Sequence, residues 1–527
     1  LAAALFVPVL AVFSAWWPGT GGASGMGLIA EMARTVLPGY VWTTLWLCLV
    51  VGAGVAAVGL ATAAAVTLFE FRGRQVFEWA LLLPLAMPAY VVAFAYTDFL
   101  QFAGPLQTWM RQALSLEGRM LPDVRSLGGA MLIFVVTLYP YVYLLARTAL
   151  AERAAHLMEA ARLLGAPLRR RLLRVAFPLA RPAVAAGMAL ALMETLADYG
   201  VSSYFGIQTF TAGIYKAWLA MDNRLVAAQL ASVLLVLVAV LLHMEARAQK
   251  RMRFAATAAP TAASAEMQLP CLRGAAQIWA WLLCGLPVLL GFVLPLLFML
   301  RPLLFSTAEW QWGQFGQWAF NSLRLGGLTA VLAVGVAWVL AFSVRRQPSA
   351  YNQAAAQLVG VGYAIPGAVV VVGLLMPLGW LQQQWPHSGV AAGVTATSLG
   401  LVWVYLVRFC AVALQSVQSG YARIPASIDE SARTLGTRAP RLLTQVHGPL
   451  LLRTALAAAL LVFVDVMKEL PATLVLRPFN SDTLAVVAYQ FARDERLGEA
   501  TLPALVLVGV GLVPVLLLSR AMRQGGR

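Results

Sequence analysis

Residues 159–179 read EAARLLGAPLRRRLLRVAFPL and residues 430–450 read ESARTLGTRAPRLLTQVHGPL, identical at ten of 21 positions at an offset of 271. Agreement of that density marks an internal duplication, and a duplication decides the architecture before any single element is assigned. The same offset sets Glu194 opposite Asp465 and Asp198 opposite Glu469. An offset of 278 sets Thr43-Thr44-Leu45 opposite Asn321-Ser322-Leu323 and Met87-Pro88 opposite Ile365-Pro366. The chain is built twice.

Outward from these copies the sequence is apolar. Of 527 residues, 61% are hydrophobic and 11% charged, against about 45–50% and about 25% in soluble domains. Such a composition excludes a disordered chain, and four scattered cysteines (Cys48, Cys271, Cys284, Cys410) exclude a disulfide scaffold and a cysteine metal site. A bilayer core takes roughly 20 apolar residues as a helix. Residues 41–69, 79–97, 126–146, 225–244, 274–300, 325–344 and 500–519 carry no charge, as do residues 1–17. The charge-free run 347–407 holds two helices, with Pro377 to Ser388 as the polar turn between them. Two more, 182–200 and 454–472, are interrupted only by Glu194 and Asp198, and by Asp465, Lys468 and Glu469. Residues 1–17 are read as a helix rather than a cleaved signal, because no basic segment precedes them and Trp16-Trp17-Pro18 suits an interface. The fold class is therefore all-α, a polytopic membrane protein of about twelve transmembrane helices. Six per copy keep both copies in one orientation, so the repeats are parallel.

The formal charge of +16 follows this topology. With the first helix entering from the cytoplasm, 26 of the 38 basic residues lie inside, among them the six from Arg408 to Arg453, while the acids divide eight inside and 14 outside. That asymmetry places both termini in the cytoplasm and removes nucleic acid as a partner, leaving membrane lipid as the surroundings. The organisation expected is a first half at 1–245 with a loop at 151–181, a cytoplasmic linker at 246–272, and a second half at 273–527 with a loop at 415–453.

Each loop opens with a short helix, Glu159-Ala160-Ala161 or Glu430-Ser431-Ala432, followed six residues after the glutamate by Gly165 or Gly436, a natural helix C-cap. Pro167 and Pro440 restart the chain, and Pro178 and Pro449 precede the next span. Leu163, Leu164, Leu172 and Leu173, with Leu435 and Leu443, give the loops an apolar face that implies a partner surface.

The pattern E-A-A, three residues, G, then a proline resembles the EAA loop of ABC importer permeases. The resemblance implies the type I importer permease fold, and it assigns Glu159, Ala160, Ala161, Gly165, Glu430, Ser431, Ala432 and Gly436 to coupling with a cytoplasmic ATPase. Ser431 departs from the pattern as a small-for-small change. No G-x-x-x-x-G-K-[ST] occurs, so ATP is expected to be hydrolysed by partner subunits, and no cofactor is expected on this chain. Two loops in one chain imply two ATPase copies in a bacterial inner membrane, and the resemblance alone adds a periplasmic solute-binding protein. Met193-Glu194-Thr195-Leu196-Ala197-Asp198-Tyr199-Gly200, with Lys468-Glu469-Leu470-Pro471-Ala472-Thr473-Leu474 and Arg477-Pro478-Phe479, looks like the fused permease subunit of ferric-iron (Fe³⁺) ABC importers. Thiamine importers share the fused architecture, and another small cation fits as well.

Glu194 lies about 13 residues beyond Arg181, roughly 20 Å into its span, and Asp198, four residues on, is expected on the same helix face. Asp465 and Glu469 repeat the arrangement. Charges at this depth face a cavity or one another. The four are candidates for a substrate pathway that favours a hard cation, with Lys468 as counter-charge; capping of helix ends or structural pairing is the other reading. Pro84, Pro88 and Pro366 are positioned to kink their spans. His156, His243, His387 and His447 fit no metal spacing, and no tightly bound metal is expected; His156 and His447 are expected to be exposed in basic loops. A proton-coupled secondary transporter using the same carboxylates is the rival of a different class; a membrane-embedded enzyme lacks any nucleophile, metal or phosphate motif.

Overall fold

The computed structural model describes residues 2–16, 30–115, 117–151, 155–256, 270–305 and 312–524. Among them every regular element is helical, with an isolated bridge between Glu70 and Cys271. The first copy runs α1 (Ala2–Ala11, with a tighter turn to Trp16), α2 (Leu37–Leu68), α3 (Arg74–Ala80), α4 (Ala89–Leu100), α5 (Leu127–Ala149), α6 (Ala155–Leu163), α7 (Phe177–Ala197), α8 (Gly200–Tyr204) and α9 (Arg224–Ala256). The second runs α10 (Ala275–Val288), α11 (Leu294–Phe305), α12 (Trp312–Arg346), α13 (Ala350–Gly360), α14 (Gly367–Gln384), α15 (Ser398–Tyr421), α16 (Ala426–Thr434), α17 (Gly448–Lys468), α18 (Pro471–Leu476), α19 (Leu484–Arg493) and α20 (Leu497–Gln524). Both ends of α6 and α16, and both ends of α7 and α17, are separated by the 271 residues read from the sequence.

Nine described helices are long and apolar enough to cross a bilayer, and two bent pairs, Arg74–Ala86 with Ala89–Leu114 and Ala350–Ala364 with Gly367–Gln384, make eleven if each pair crosses once. The shorter apolar helix Ala2–Trp16 holds the remaining expected position. The pairs bend by 89° and 114° at Met87-Pro88 and Ile365-Pro366. A proline forces the residue before it out of the helical region, and Met87 (ψ 122°) and Ile365 (ψ 97°) are extended. The polar turn expected at Pro377 to Ser388 starts later, because α14 continues through Pro377 and the three glutamines to Gln384. Glutamine is a good helix former, and a proline inside a membrane helix is tolerated where neighbouring groups satisfy the freed carbonyl. The segment 246–256 of the expected linker continues α9 as helix, and residues 257–269 lie outside those described.

The chain divides into two compact units: Leu1–Arg34, Gly213–Leu235 and Trp310–Val487 form one; Thr35–Ala212, Val236–Glu309 and Ala488–Arg527 form the other. Each therefore draws on both sequence halves. The second of these units is built on α2, α5 and α7, packed so closely that a Cβ added at Gly187 would lie 2.6 Å from Val142 Cα. Small residues permit such approach where no water drives helices together. Onto this core pack α11 and α20, with the Phe99 and Phe298 rings stacked at 3.9 Å and the Tyr96 hydroxyl donating to Leu290 O across 2.7 Å. The other unit is built on α12, α15 and α17, and here α1 lies across α14. A Cβ on Gly373 would lie 1.7 Å from Pro8 O, and Trp16 Nε1 donates to Ser232 Oγ at 2.9 Å.

Candidate functional site

The duplicated loops fold alike. In α6 the helix is ended by Gly165 at φ +74°, with Gly165 N–H donating to Arg162 O and Ala166 N–H to Ala161 O; in α16 Gly436 at φ +76° does the same, with donors Gly436 to Arg433 O and Thr437 to Ala432 O. This left-handed closure satisfies the last carbonyls of a helix and favours glycine. Beyond it, short helices at Leu168–Arg171 and Ala439–Arg441 run through wide turns into α7 and α17. Glu159, Ala160, Glu430, Ser431 and both glycines are exposed, whereas Ala161 is half-buried and Ala432 buried. Part of the apolar face expected of the loops is uncovered in its own unit: Leu163, Leu164 and Leu435 are 85%, 87% and 84% exposed and Leu173 is exposed too, whereas Leu172 and Leu443 are half-buried.

The second loop has an anchor that the sequence reading missed. Arg345, at the end of α12, donates from Nε to Asp429 Oδ2 (2.7 Å) and from Nη2 to Asp429 Oδ1 (3.1 Å). Nη1 donates to Tyr421 O at 2.9 Å, and Nη2 also reaches Ile424 O and Pro425 O at 3.0 and 3.1 Å. His447 Nε2 lies 3.0 Å from Asp429 Oδ1 and Nδ1 lies 3.3 Å from the Tyr421 hydroxyl. An ionised carboxylate only accepts, so Nε2 carries the proton. Burial works against the Asp429 charge, but hydrogen bonds from Arg345 and His447 outweigh it and hold the carboxyl below its usual range. His447 is wholly buried, contrary to the exposure expected of it, because its ring packs edge-on against Tyr421 and Phe342. The side chain of His156 lies outside those described.

The intramembrane carboxylates are arranged differently from the expectation. Both α7 and α17 stop one residue short, leaving Asp198 (ψ 128°) and Glu469 (ψ 123°) extended, so neither shares a helix face with Glu194 or Asp465. Each instead caps the following short helix. Asp198 Oδ1 accepts from the Val201 and Ser202 N–H groups at 2.9 and 3.3 Å; Glu469 accepts from Ala472 and Thr473 N–H, both at 3.0 Å, and from the Thr473 hydroxyl at 2.6 Å. Carboxylates at a helix start satisfy donors that the helix itself leaves free. Glu194 is half-buried within α7 and forms no ion pair among the described residues.

Glu469 also receives Arg408 Nη1 at 2.9 Å. Arg408, counted as cytoplasmic from the sequence, is instead a buried residue inside α15, 7% exposed. Gly367 makes room for the pair, since a Cβ there would lie 3.0 Å from Glu469 Oε1 and 3.3 Å from Arg408 Nη1. The apolar stretch Phe409 to Leu414 beyond Arg408 was the available signal that the span continues.

Comparison with known proteins follows the same lines. Residues 56–254, which hold the first loop and α7, match the family described as binding-protein-dependent transport system inner membrane component. The Fe(3+)-transport system permease protein FbpB 2 of Haemophilus influenzae is 24% identical over 90% of this chain and 88% of its own length. ORF1 of Streptomyces antibioticus, named as an ABC transporter permease protein, is 32% identical over 35% of this chain and 76% of its own. The maltose/maltodextrin transport system permease protein MalG of Vibrio parahaemolyticus is 26% identical over 40% of this chain and 69% of its own. With its duplicated helical core, its paired loops and these matches, the chain belongs to the binding-protein-dependent transport system inner membrane component family, the permeases of ABC transporters.

Proposed function

We propose that the chain is the membrane permease of an ATP-driven importer that carries ferric iron delivered by a periplasmic binding protein. The observation that carries the ATP-driven part is the pair of glycine-closed helices α6 and α16, each with a bare leucine at the same place in its copy, Leu164 and Leu435. A buried groove of a partner ATPase is what such a helix fits, so Glu159, Ala160, Ala161 and Gly165, with Glu430, Ser431, Ala432 and Gly436, face two copies of that subunit in the cytoplasm. Both termini lie on the same side, in the bacterial inner membrane, as the basic loops require. Support for iron comes from the similarity to FbpB 2, which extends over 90% of the chain and so includes both copies. Glu194 and Asp465 are assigned to the pathway of the cation, where oxygen donors suit a hard metal ion, while Asp198 and Glu469 hold the starts of α8 and α18.

The test is uptake of radioactive Fe³⁺ by cells lacking this chain and complemented with wild type or with Glu159→Ala and Glu430→Ala together. Wild type restores uptake and the double variant loses at least nine-tenths of it, while both reach the membrane in equal amount. Uptake that persists after ATP depletion identifies a secondary transporter instead. If wild type restores no iron uptake, the substrate is another cation, thiamine being the first to try.

A further inference from the structure

The two coupling helices sit on different seats. At the positions of Arg345, Tyr421, Asp429 and His447 the first copy has Thr67, Leu150, Met158 and Ala176, counting back 278 residues for the first and 271 for the others. Leu150, Met158 and Ala176 are buried, and no ion pair joins α6 to its unit among the described residues. An apolar contact of this kind is non-directional and lets a helix tilt while keeping its surface covered. The seat of α16 is directional. One planar guanidinium grips the Asp429 carboxylate with two donors and closes three carbonyls at the end of α15 and in the turn after it. The carboxylate in turn takes His447, the last residue before α17. Fork-to-fork pairing of Arg with a carboxylate fixes angle as well as distance, and a buried network with its partners in place resists partial rearrangement.

We propose that Arg345, Asp429 and His447 are positioning residues that make the second coupling helix move as one body with the ends of α12 and α15, whereas the first pivots on an apolar seat. The two ATPase strokes then enter the membrane region unequally: rigidly through α16, with slack through α6. This rests on the ATPase-coupling reading of the loops, and it assigns a role to a charged cluster that the paired EAA pattern does not contain.

Hydrogen–deuterium exchange on the full chain assembled with its ATPase subunits tests it, with and without ATP plus vanadate. In wild type, residues 426–434 exchange at least tenfold more slowly than residues 155–163, and nucleotide trapping changes protection at 426–434 and at 340–346 together. Asp429→Asn brings 426–434 to the rate of the first helix, and trapping then changes 426–434 alone. A second variant guards against simple misfolding: Arg345→Thr, Tyr421→Leu, Asp429→Met and His447→Ala together install the first copy's seat, and this protein keeps its ATPase subunits but shows the same loss of linkage. Equal exchange of the two helices in wild type, or trapping effects that still reach 340–346 in Asp429→Asn, overturns the proposal. If trapping alters neither loop in wild type, the coupling reading fails, and the basal exchange comparison still decides whether the clamp exists.

Discussion

Asp198 and Glu469 hold the same place in the two copies, but among the described residues only Glu469 faces a cation. Removing a carboxylate from a buried ion pair leaves the guanidinium of Arg408 desolvated inside a span, at a cost of about 3–5 kcal/mol. Among the described residues Asp198 accepts only from backbone N–H groups, and Asn accepts them nearly as well, so Asp198→Asn costs no more than about 0.5 kcal/mol. Thermal unfolding in detergent is therefore expected to show a large fall in Tm for Glu469→Ala and little change for Asp198→Asn; equal shifts would contradict the pairing. The carboxylates were legible in the sequence because a charge in an apolar stretch stands out. What they do was not, since the i, i+4 reading assumed a helix that in fact ends at Ala197 and at Lys468. The partner of Glu469 was illegible for a different reason: Arg408 lies 61 residues from it, and a cation near a basic loop passes for part of that loop.

At the scale of elements, the loops show which signals are local. Glycine after the leucines and proline after the glycine dictate helix, closure and restart from a few adjacent residues, and both copies fold that way. The closure depends on backbone conformation alone, since nothing lies within 4 Å of a Cβ placed on Gly165 or Gly436. Alanine at either position meets no neighbour but must adopt the left-handed region at about 1–2 kcal/mol. Gly165→Ala with Gly436→Ala is thus expected to fray the last turns of α6 and α16, raising their amide exchange several-fold without lowering the Tm of the membrane core. A lowered Tm, or unchanged exchange, would mean that the closures do something other than end these helices. The clamp on α16 was beyond such local reading, because Arg345 and Asp429 are 84 residues apart and the repeat that exposed the loops holds no matching charges in the first copy.

At the scale of the whole molecule, duplication suggests two self-sufficient halves, yet the compact units are assembled otherwise. The first helix, α1, belongs to the unit that holds α12 to α18, where it lies on α14 with Gly373 against Pro8; α10, α11 and α20 belong to the unit built on α2, α5 and α7. Each half therefore exposes, when alone, apolar faces that only the other half covers: the bed of α1 in one, the bed of α11 in the other. The repeat alone could not show this exchange, since it reports which segments are alike and not which segments touch. Expression of residues 1–256 and 270–527 as two separate chains distinguishes the arrangements. Interleaved units predict that either fragment by itself is degraded, and that the two made together are protected and copurify through a tag on one. Folding of either fragment alone, with the protease resistance it has in the intact chain, would show that α1 and α11 contribute little to the units in which they lie.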